Sequence, residues 1–297
     1  MSWRTVVISS NSKLDFQMNY LVVRSNEIQK VFLDEIAVLM IESTAVSMTA
    51  YLLNELMKRK IKVIFCNEKR QPAGELIPYC GSHDSSRKIY EQINFSEYVM
   101  DDVWREIIKE KISNQAKLLA RLGLKDRQIQ LETLAQEIEP GDPTNREGQA
   151  AKVYFNGLFG TDFSRREDTG RNAALNYGYA ILLAAVDREI SANGYLTQLG
   201  ISHCSSVNAY NLGCDLMEPL RVLIDYLVVK NRIISFGSRE KQILLSLLSQ
   251  PVRVANRSEK LINGLGIYIR SVFEALQTAD CSRIRFCEFD LELEMDD

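Results

Sequence analysis

Histidine is nearly missing from this chain: 297 residues hold two, His83 and His203, against 36 lysines and arginines and 39 aspartates and glutamates. Chemistry that needs an imidazole has two places to find one. Cysteine is also thin. The six cysteines, at 66, 80, 204, 214, 281 and 287, are scattered and form no C-x-x-C pair, which suits reduced thiols of a cytosolic protein. Cys204 adjoins His203, but neighbouring residues on one strand or helix point apart, so the pair does not read as a nucleophile and its base. No uninterrupted apolar run approaches the roughly 20 residues that cross a bilayer, and no basic and apolar leader opens the chain. A cytoplasmic protein without a membrane partner is therefore expected. Internal repeats are absent as well.

A surplus of basic charge is lacking too, with a formal net charge of −3, but this average misleads. The last ten residues carry six acids, Glu288, Asp290, Glu292, Glu294, Asp296 and Asp297, and no base; residues 1–287 alone carry +3. Basic residues gather at Lys58, Arg59, Lys60 and Lys62, and again at Arg165, Arg166 and Arg171. Local patches decide phosphate binding. Hydrophobic content of 46% and charged content of 25% are those of a globular domain.

The chain reads as α+β. Residues 1–80 are strand-rich, with short β-branched runs at Thr5–Ser9, Tyr20–Arg24, Lys30–Leu33, Ala37–Ile41 and Lys62–Cys66. A helix over Ser47–Lys60, capped by Ser47, closes this part. A linker at 81–87 leads to an all-α region over 88–287, and residues 288–297 form an acidic tail whose removal is expected to spare the fold. The change of period near residue 85 predicts a separable N-terminal unit, taken as a dimerisation domain. Helices are expected at Ser96–Leu122, Gln128–Ile138, Arg171–Ala192 and Glu259–Leu276, the first with Trp104, Ile107, Ile108, Lys111 and Ile112 at helical spacing. Tyr154, Phe155, Tyr177 and Tyr179 read as core.

Three short stretches carry chemistry. Thr144-Asn145-Arg146-Glu147-Gly148 opens a helix whose apolar face (Ala150, Ala151, Tyr154, Phe155, Leu158) is headed by Glu147. His203 stands a dozen residues ahead of Asp215 and Glu218, which share a face if that stretch is helical. A glutamate, a histidine and an acidic pair make a mixed nitrogen and oxygen ligand set for manganese or magnesium. The plain alternative is open at each position: Thr144-x-x-Glu147 is also a capping box, Asp215-x-x-Glu218 a similar cap, and His203 a hydrogen-bonded loop residue. Asp215, Glu218 and Asp225 lie near one line with only Arg221 to neutralise them, so loss of one acid is expected to relieve repulsion.

Taken together, Trp3-Arg4-Thr5-Val6-Val7, Val63-Ile64-Phe65-Cys66, Gly81-Ser82-His83-Asp84-Ser85-Ser86, Asp142-Pro143-Thr144-Asn145-Arg146-Glu147-Gly148, Leu175-Asn176-Tyr177-Gly178-Tyr179, His203 and Asp215-Leu216-Met217-Glu218-Pro219-Leu220-Arg221 resemble the CRISPR-associated integrase family, from residue 3 to about residue 232. The chain looks most like the subtype that accompanies a large RNA-guided effector nuclease. The resemblance implies a metal-dependent DNA endonuclease that inserts short duplex DNA into a CRISPR array by 3′-hydroxyl attack. It implies Glu147, His203 and Glu218 as ligands of Mn2+ or Mg2+, with Asp215 as the neighbouring catalytic acid. It further implies homodimers bridged by a small ferredoxin-like adaptation protein into a heterohexamer, and prespacer and repeat duplexes as DNA partners. Arg146, Arg165, Arg166 and Arg171 are the expected DNA contacts. A non-catalytic DNA-binding scaffold and a metal-dependent phosphoesterase of small substrates are the alternatives.

Overall fold

Among the described residues the N-terminal region forms eight strands: β1 (Arg4–Ile8), β2 (Ser12–Gln17), β3 (Tyr20–Arg24), β4 (Ile28–Phe32), β5 (Ile36–Ile41), β6 (Val46–Met48), β7 (Lys62–Cys66) and β8 (Pro72–Glu75). The structure, a computed structural model, describes residues 4–68, 70, 72–76 and 82–291. One sheet has the order β1-β5-β7-β8, with β1, β5 and β7 parallel and β8 antiparallel to β7. The other is β4-β3-β2-β6, antiparallel except for β6 beside β2. The two residues Met18 and Asn19 turn β2 into β3 with φ of 47° and 67°, the left-handed geometry that a two-residue hairpin needs.

Helix α1 (Ala50–Lys58) is capped by Thr49, whose hydroxyl accepts the Leu52 N–H at 3.2 Å. The expected cap, Ser47, lies instead in β6 opposite Lys13. Three residues of strand are too few to show a period, so the sequence merges this edge strand with the helix that follows it.

Every residue of β5 is buried. Leu39, Ile41 and Val63 face a core with Leu14, Leu21, Leu52 and Leu56. The alternate residues Val38, Met40, Ile64 and Cys66 face the helical core. A parallel sheet covered on both faces gives such continuous apolar runs. The helices therefore use this sheet as a wall. Tyr177 Oη lies 3.3 Å from Glu42 Oε1, and Lys241 Nζ lies 3.1 Å from the same oxygen. A separable N-terminal unit does not fit this packing, because isolating it would uncover Val38, Met40 and Ile64. Residues 79–81 of the expected boundary at 79–85 lie outside the described residues, as does Trp3; Ser85 of that stretch already begins a helix.

The second part is helical: α2 (Ser85–Ile93), α3 (Glu97–Arg121), α4 (Lys125–Gln136), α5 (Arg146–Phe159), α6 (Gly170–Ala192), α7 (Asn211–Met217), α8 (Arg221–Lys230), α9 (Ser238–Leu245) and α10 (Leu261–Thr278). Helices α3 and α6 each carry a long row of buried residues. Gly178 lets α6 meet α8 closely, since a Cβ there would fall 2.5 Å from Ile224 Cγ2. Before α10 the chain forms a hairpin, β9 (Pro251–Val254) and β10 (Arg257–Lys260), so Glu259 is in a strand and not in the helix expected to begin there. The region is thus helical with one hairpin added.

The acidic end is not wholly free. Glu288 pairs antiparallel with Arg253 of β9 through two backbone hydrogen bonds of 2.7 and 2.8 Å, and Leu291 is buried. Residues 292–297 lie outside the described residues.

Candidate functional site

Helix α5 begins with its donors already satisfied. Asn145, at φ 52° and ψ 50°, accepts the Gly148 N–H through Oδ1 at 3.0 Å. Asp142 accepts the Arg146 and Glu147 N–H groups at 2.8 and 2.9 Å. The Asn145 N–H donates to Asp142 O at 2.9 Å, so all four open N–H groups at this end are covered without the glutamate side chain. The side chain of Glu147 instead reaches α3, where Oε1 lies 2.5 Å from Lys111 Nζ. It does not close a capping box.

Glu218 starts a 3-10 turn, Glu218–Leu220, between α7 and α8. This break separates it from Asp215, so the two acids serve different partners. Glu218 Oε2 lies 2.6 Å from Lys111 Nζ, and Oε1 lies 3.0 Å from Arg221 Nη2. Burial alone would raise its pKa, but Lys111 and Arg221 outweigh it and hold the carboxyl below the usual range. Lys111 is likewise lowered by burial and raised more by Glu218 and Glu147, so it stays charged. The turn is braced from behind by Asn114, whose Nδ2 donates to Pro219 O at 3.0 Å.

Asp215 is fully buried beneath the 200–203 loop. Its Oδ2 accepts the Ile201 and Ser202 N–H groups at 2.5 and 3.1 Å; Oδ1 accepts the His203 N–H at 3.1 Å and pairs with His203 Nδ1 at 2.5 Å. Four donors fill its oxygens, leaving no lone pair for a second ion. Gly200 makes this close wrap feasible, because a Cβ there would lie 2.7 Å from Asp215 Oδ2. A carboxylate only accepts, so His203 Nδ1 carries the proton and Nε2 keeps its lone pair for another partner. The Trp104 ring meets the imidazole edge to face, with centroids 5.9 Å apart. The hydrogen bond to Asp215 raises the His203 pKa against burial, and Glu218 and Glu147 add to the rise. The imidazole is therefore within electrostatic reach of both glutamates. It also lines a hollow of about 610 Å³ with Gln92, Met100 and Asn211.

Asp225 leaves the group altogether. It accepts the hydroxyls of Tyr154 at 2.9 Å and Tyr179 at 2.5 Å, and burial pushes its pKa up to about 6. The line of unneutralised acids expected from the sequence is thus dispersed among three sets of partners. Lys111 is the residue that spacing did not single out. Its signal was present, since a lysine between Ile108 and Ile112 on an apolar stripe needs a buried anion.

Among the described residues no three His, Cys, Asp or Glu side chains converge as a ready ligand cage. At the centre the Lys111 ammonium stands between the two glutamates. Its position between them is itself that of a cation. Glu218 Oε2 is buried and has no donor aimed at it with hydrogen-bond geometry, although the ammonium is near. Two carboxylates and an imidazole whose far nitrogen is held by Asp215 fit a divalent metal ion.

The profile of the family described as CRISPR associated protein Cas1 matches residues 5–247. The chain belongs to the Cas1 family. A CRISPR-associated endonuclease Cas1 from Neisseria meningitidis serogroup C (strain 8013) is 40% identical over 230 residues, 77% of this chain and 76% of that protein. The Cas1 fold is shared with a casposase bound to integration product, at a TM-score of 0.77 and 16% identity over 100% of this chain and 96% of the other. It is shared also with a Cas6-RT-Cas1--Cas2 complex, at a TM-score of 0.73 and 17% identity. There the match covers 99% of this chain but 36% of the other, so the chain spans about a third of that longer polypeptide.

The arginines of this Cas1 family member are placed unequally. Arg165 donates to Asn172 and Asn176 at 2.5 and 2.6 Å and lies 5.4 Å above the Tyr179 ring, whose face Arg221 also approaches at 5.0 Å. A chain of contacts thus runs from Glu218 through Arg221 and Tyr179 to Arg165. Arg171 stacks on Phe159 at 4.7 Å. Arg146 pairs with Glu137 at 3.0 Å, whereas Arg166 is exposed. Among the described residues no helix is long and apolar enough to cross a membrane.

Proposed function

We propose that this chain is a metal-dependent DNA endonuclease and integrase of CRISPR spacer acquisition. It joins the 3′-hydroxyl ends of a short duplex prespacer to phosphodiesters of the CRISPR repeat. The observation that carries this reading is the meeting of Glu147 and Glu218, from separate elements, on one cation-sized position within electrostatic reach of an imidazole oriented by a buried carboxylate. Family membership supplies the reaction class.

Glu147, His203 and Glu218 would hold the ion, Mn2+ or Mg2+, with the imidazole favouring manganese. When bound, a divalent cation polarises a phosphate oxygen and acidifies a coordinated hydroxyl. Asp215 is a positioning residue: it fixes the 200–203 loop and the tautomer that leaves His203 Nε2 unprotonated. Arg221 restrains Glu218. Arg146, Arg165, Arg166 and Arg171 supply phosphate contacts along the duplex, with Arg165 nearest to the ligand set through Tyr179 and Arg221.

The working assembly is two homodimers bridged by a small ferredoxin-like adaptation protein, acting in the cytoplasm of a prokaryote. The N-terminal sheets form the homodimer contact, and the chain is of the subtype that accompanies a large RNA-guided effector nuclease. The Cas1–Cas2 complex among its structural relatives supports the partner class. The discriminating experiment compares metal-dependent strand transfer on duplex DNA with hydrolysis of a small phosphodiester. Strand transfer that needs the metal is expected. DNA binding without any reaction would favour a scaffold, and faster cleavage of the small ester would favour a general phosphoesterase.

A further inference from the structure

Lys111 holds the position that a metal ion would need. Its side chain is 10% exposed, and its ammonium stands 2.5 Å from Glu147 Oε1 and 2.6 Å from Glu218 Oε2. With Arg221 on the other oxygen of Glu218, two cations balance two carboxylates, and the metal-free centre is neutral. A divalent ion binds carboxylate oxygens at roughly 2.0–2.2 Å. At that range it cannot share both oxygens with an ammonium, and like charges repel strongly where water is scarce.

We propose that Lys111 is the resident counter-ion of the site: it keeps Glu147 and Glu218 in register before metal arrives, and the entering divalent ion must displace its ammonium group. Metal affinity is then set as a competition between the ion and a covalently tethered cation, and the glutamates never stand as a bare, mutually repelling pair. The displaced side chain swings from a nearly buried place to one that water can reach. The ligand assignment of Glu147, Glu218 and His203 underlies this inference, and one set of measurements separates the two.

Mn2+ binding to the full-length chain is read from the free-ion paramagnetic resonance signal for the native protein, Glu147→Ala and Lys111→Met. The native protein should bind an ion that Glu147→Ala loses; if both bind alike, the ligand assignment fails and this inference with it. Lys111→Met, which keeps the length and removes the charge, should bind Mn2+ about tenfold more tightly, within the range by which outer groups tune metal sites. Equal or weaker binding by a folded Lys111→Met protein, beside a normal Glu147→Ala result, overturns the counter-ion role alone. Acetylation of lysines in the native protein, followed by mass spectrometry, decides the matter without a variant. Lys111 should be protected without Mn2+ and become reactive with it. Labelling at Lys111 that saturating Mn2+ leaves unchanged overturns the proposal.

Discussion

Lys111 and Arg221 both lean on one carboxylate that is 3% exposed, so Glu218 carries more of the fold than its partner Glu147, which is 27% exposed. Without metal, Glu218→Ala should cost about 3 kcal/mol, because it strands buried cations. Glu147→Ala should cost about 1 kcal/mol or less, since water reaches what it leaves behind. Urea unfolding in a chelator checks the order; equal losses would mean that Lys111 is not shared as described. The sequence suggested instead that losing an acid relieves repulsion, an expectation that held only while Lys111 counted as one more member of an apolar stripe. The ligand candidates themselves were legible because each sits in a short stretch of unusual composition. The partners of Asp215 were not legible, since three are backbone N–H groups whose convergence depends on the 200–203 loop. His203 gives a pH test. Its pKa is raised above 6.5, so its pairing with Asp215 stabilises the metal-free fold fully below that pH and is lost as pH rises through the raised value. His203→Ala should therefore lower the melting temperature more in acid than in alkali. Ion binding has the opposite slope, because the ring must shed its proton, and Mn2+ affinity should begin to fall above pH 6.5 on acidification. A fall that starts only well below 6.5 would contradict the raised value.

Among the elements, long periodic helices and apolar strands such as β3 and β7 are readable to within a residue or two, and short polar strands are not. Helix α3, expected at Ser96–Leu122, spans Glu97–Arg121 because its apolar residues repeat over seven turns. Strands β2, β6, β8, β9 and β10 leave little trace in the sequence: they lie at edges or in hairpins, where pairing partners decide more than side chains do. The C-terminal segment shows the same blindness. Its acids advertise a free tail, yet Glu288 extends the β9 edge and Leu291 is 3% exposed. Ending the chain before Glu288 should cost about 2 kcal/mol through loss of the buried leucine, and Leu291→Ala in the full chain should reproduce much of it. Thermal unfolding of both variants measures this; an unchanged midpoint for each would return the segment to the status of a loose tail.

For the whole molecule, the shared wall of β5 and β7 ties the strand-rich part to the helices that carry the site, which the change of sequence period concealed. A period marks where one kind of element gives way to another, and it does not mark where packing stops. Charge is organised at the same scale, since a net −3 coexists with arginines strung outward from Glu218. Arg166 is exposed, and Arg166→Ala should flatten the salt dependence of duplex binding by about one unit of slope without changing stability. An unchanged slope would remove it from the DNA path. The central claim is that Glu147, His203 and Glu218 act together on one ion. The most direct test is Mn2+-dependent strand transfer on duplex DNA by Glu147→Ala, His203→Ala and Glu218→Ala, each first shown to be folded and to bind DNA. The account predicts loss of the reaction to a similar depth in all three, with no further loss when two are combined. Strand transfer by a folded Glu147→Ala protein at the native rate would contradict it.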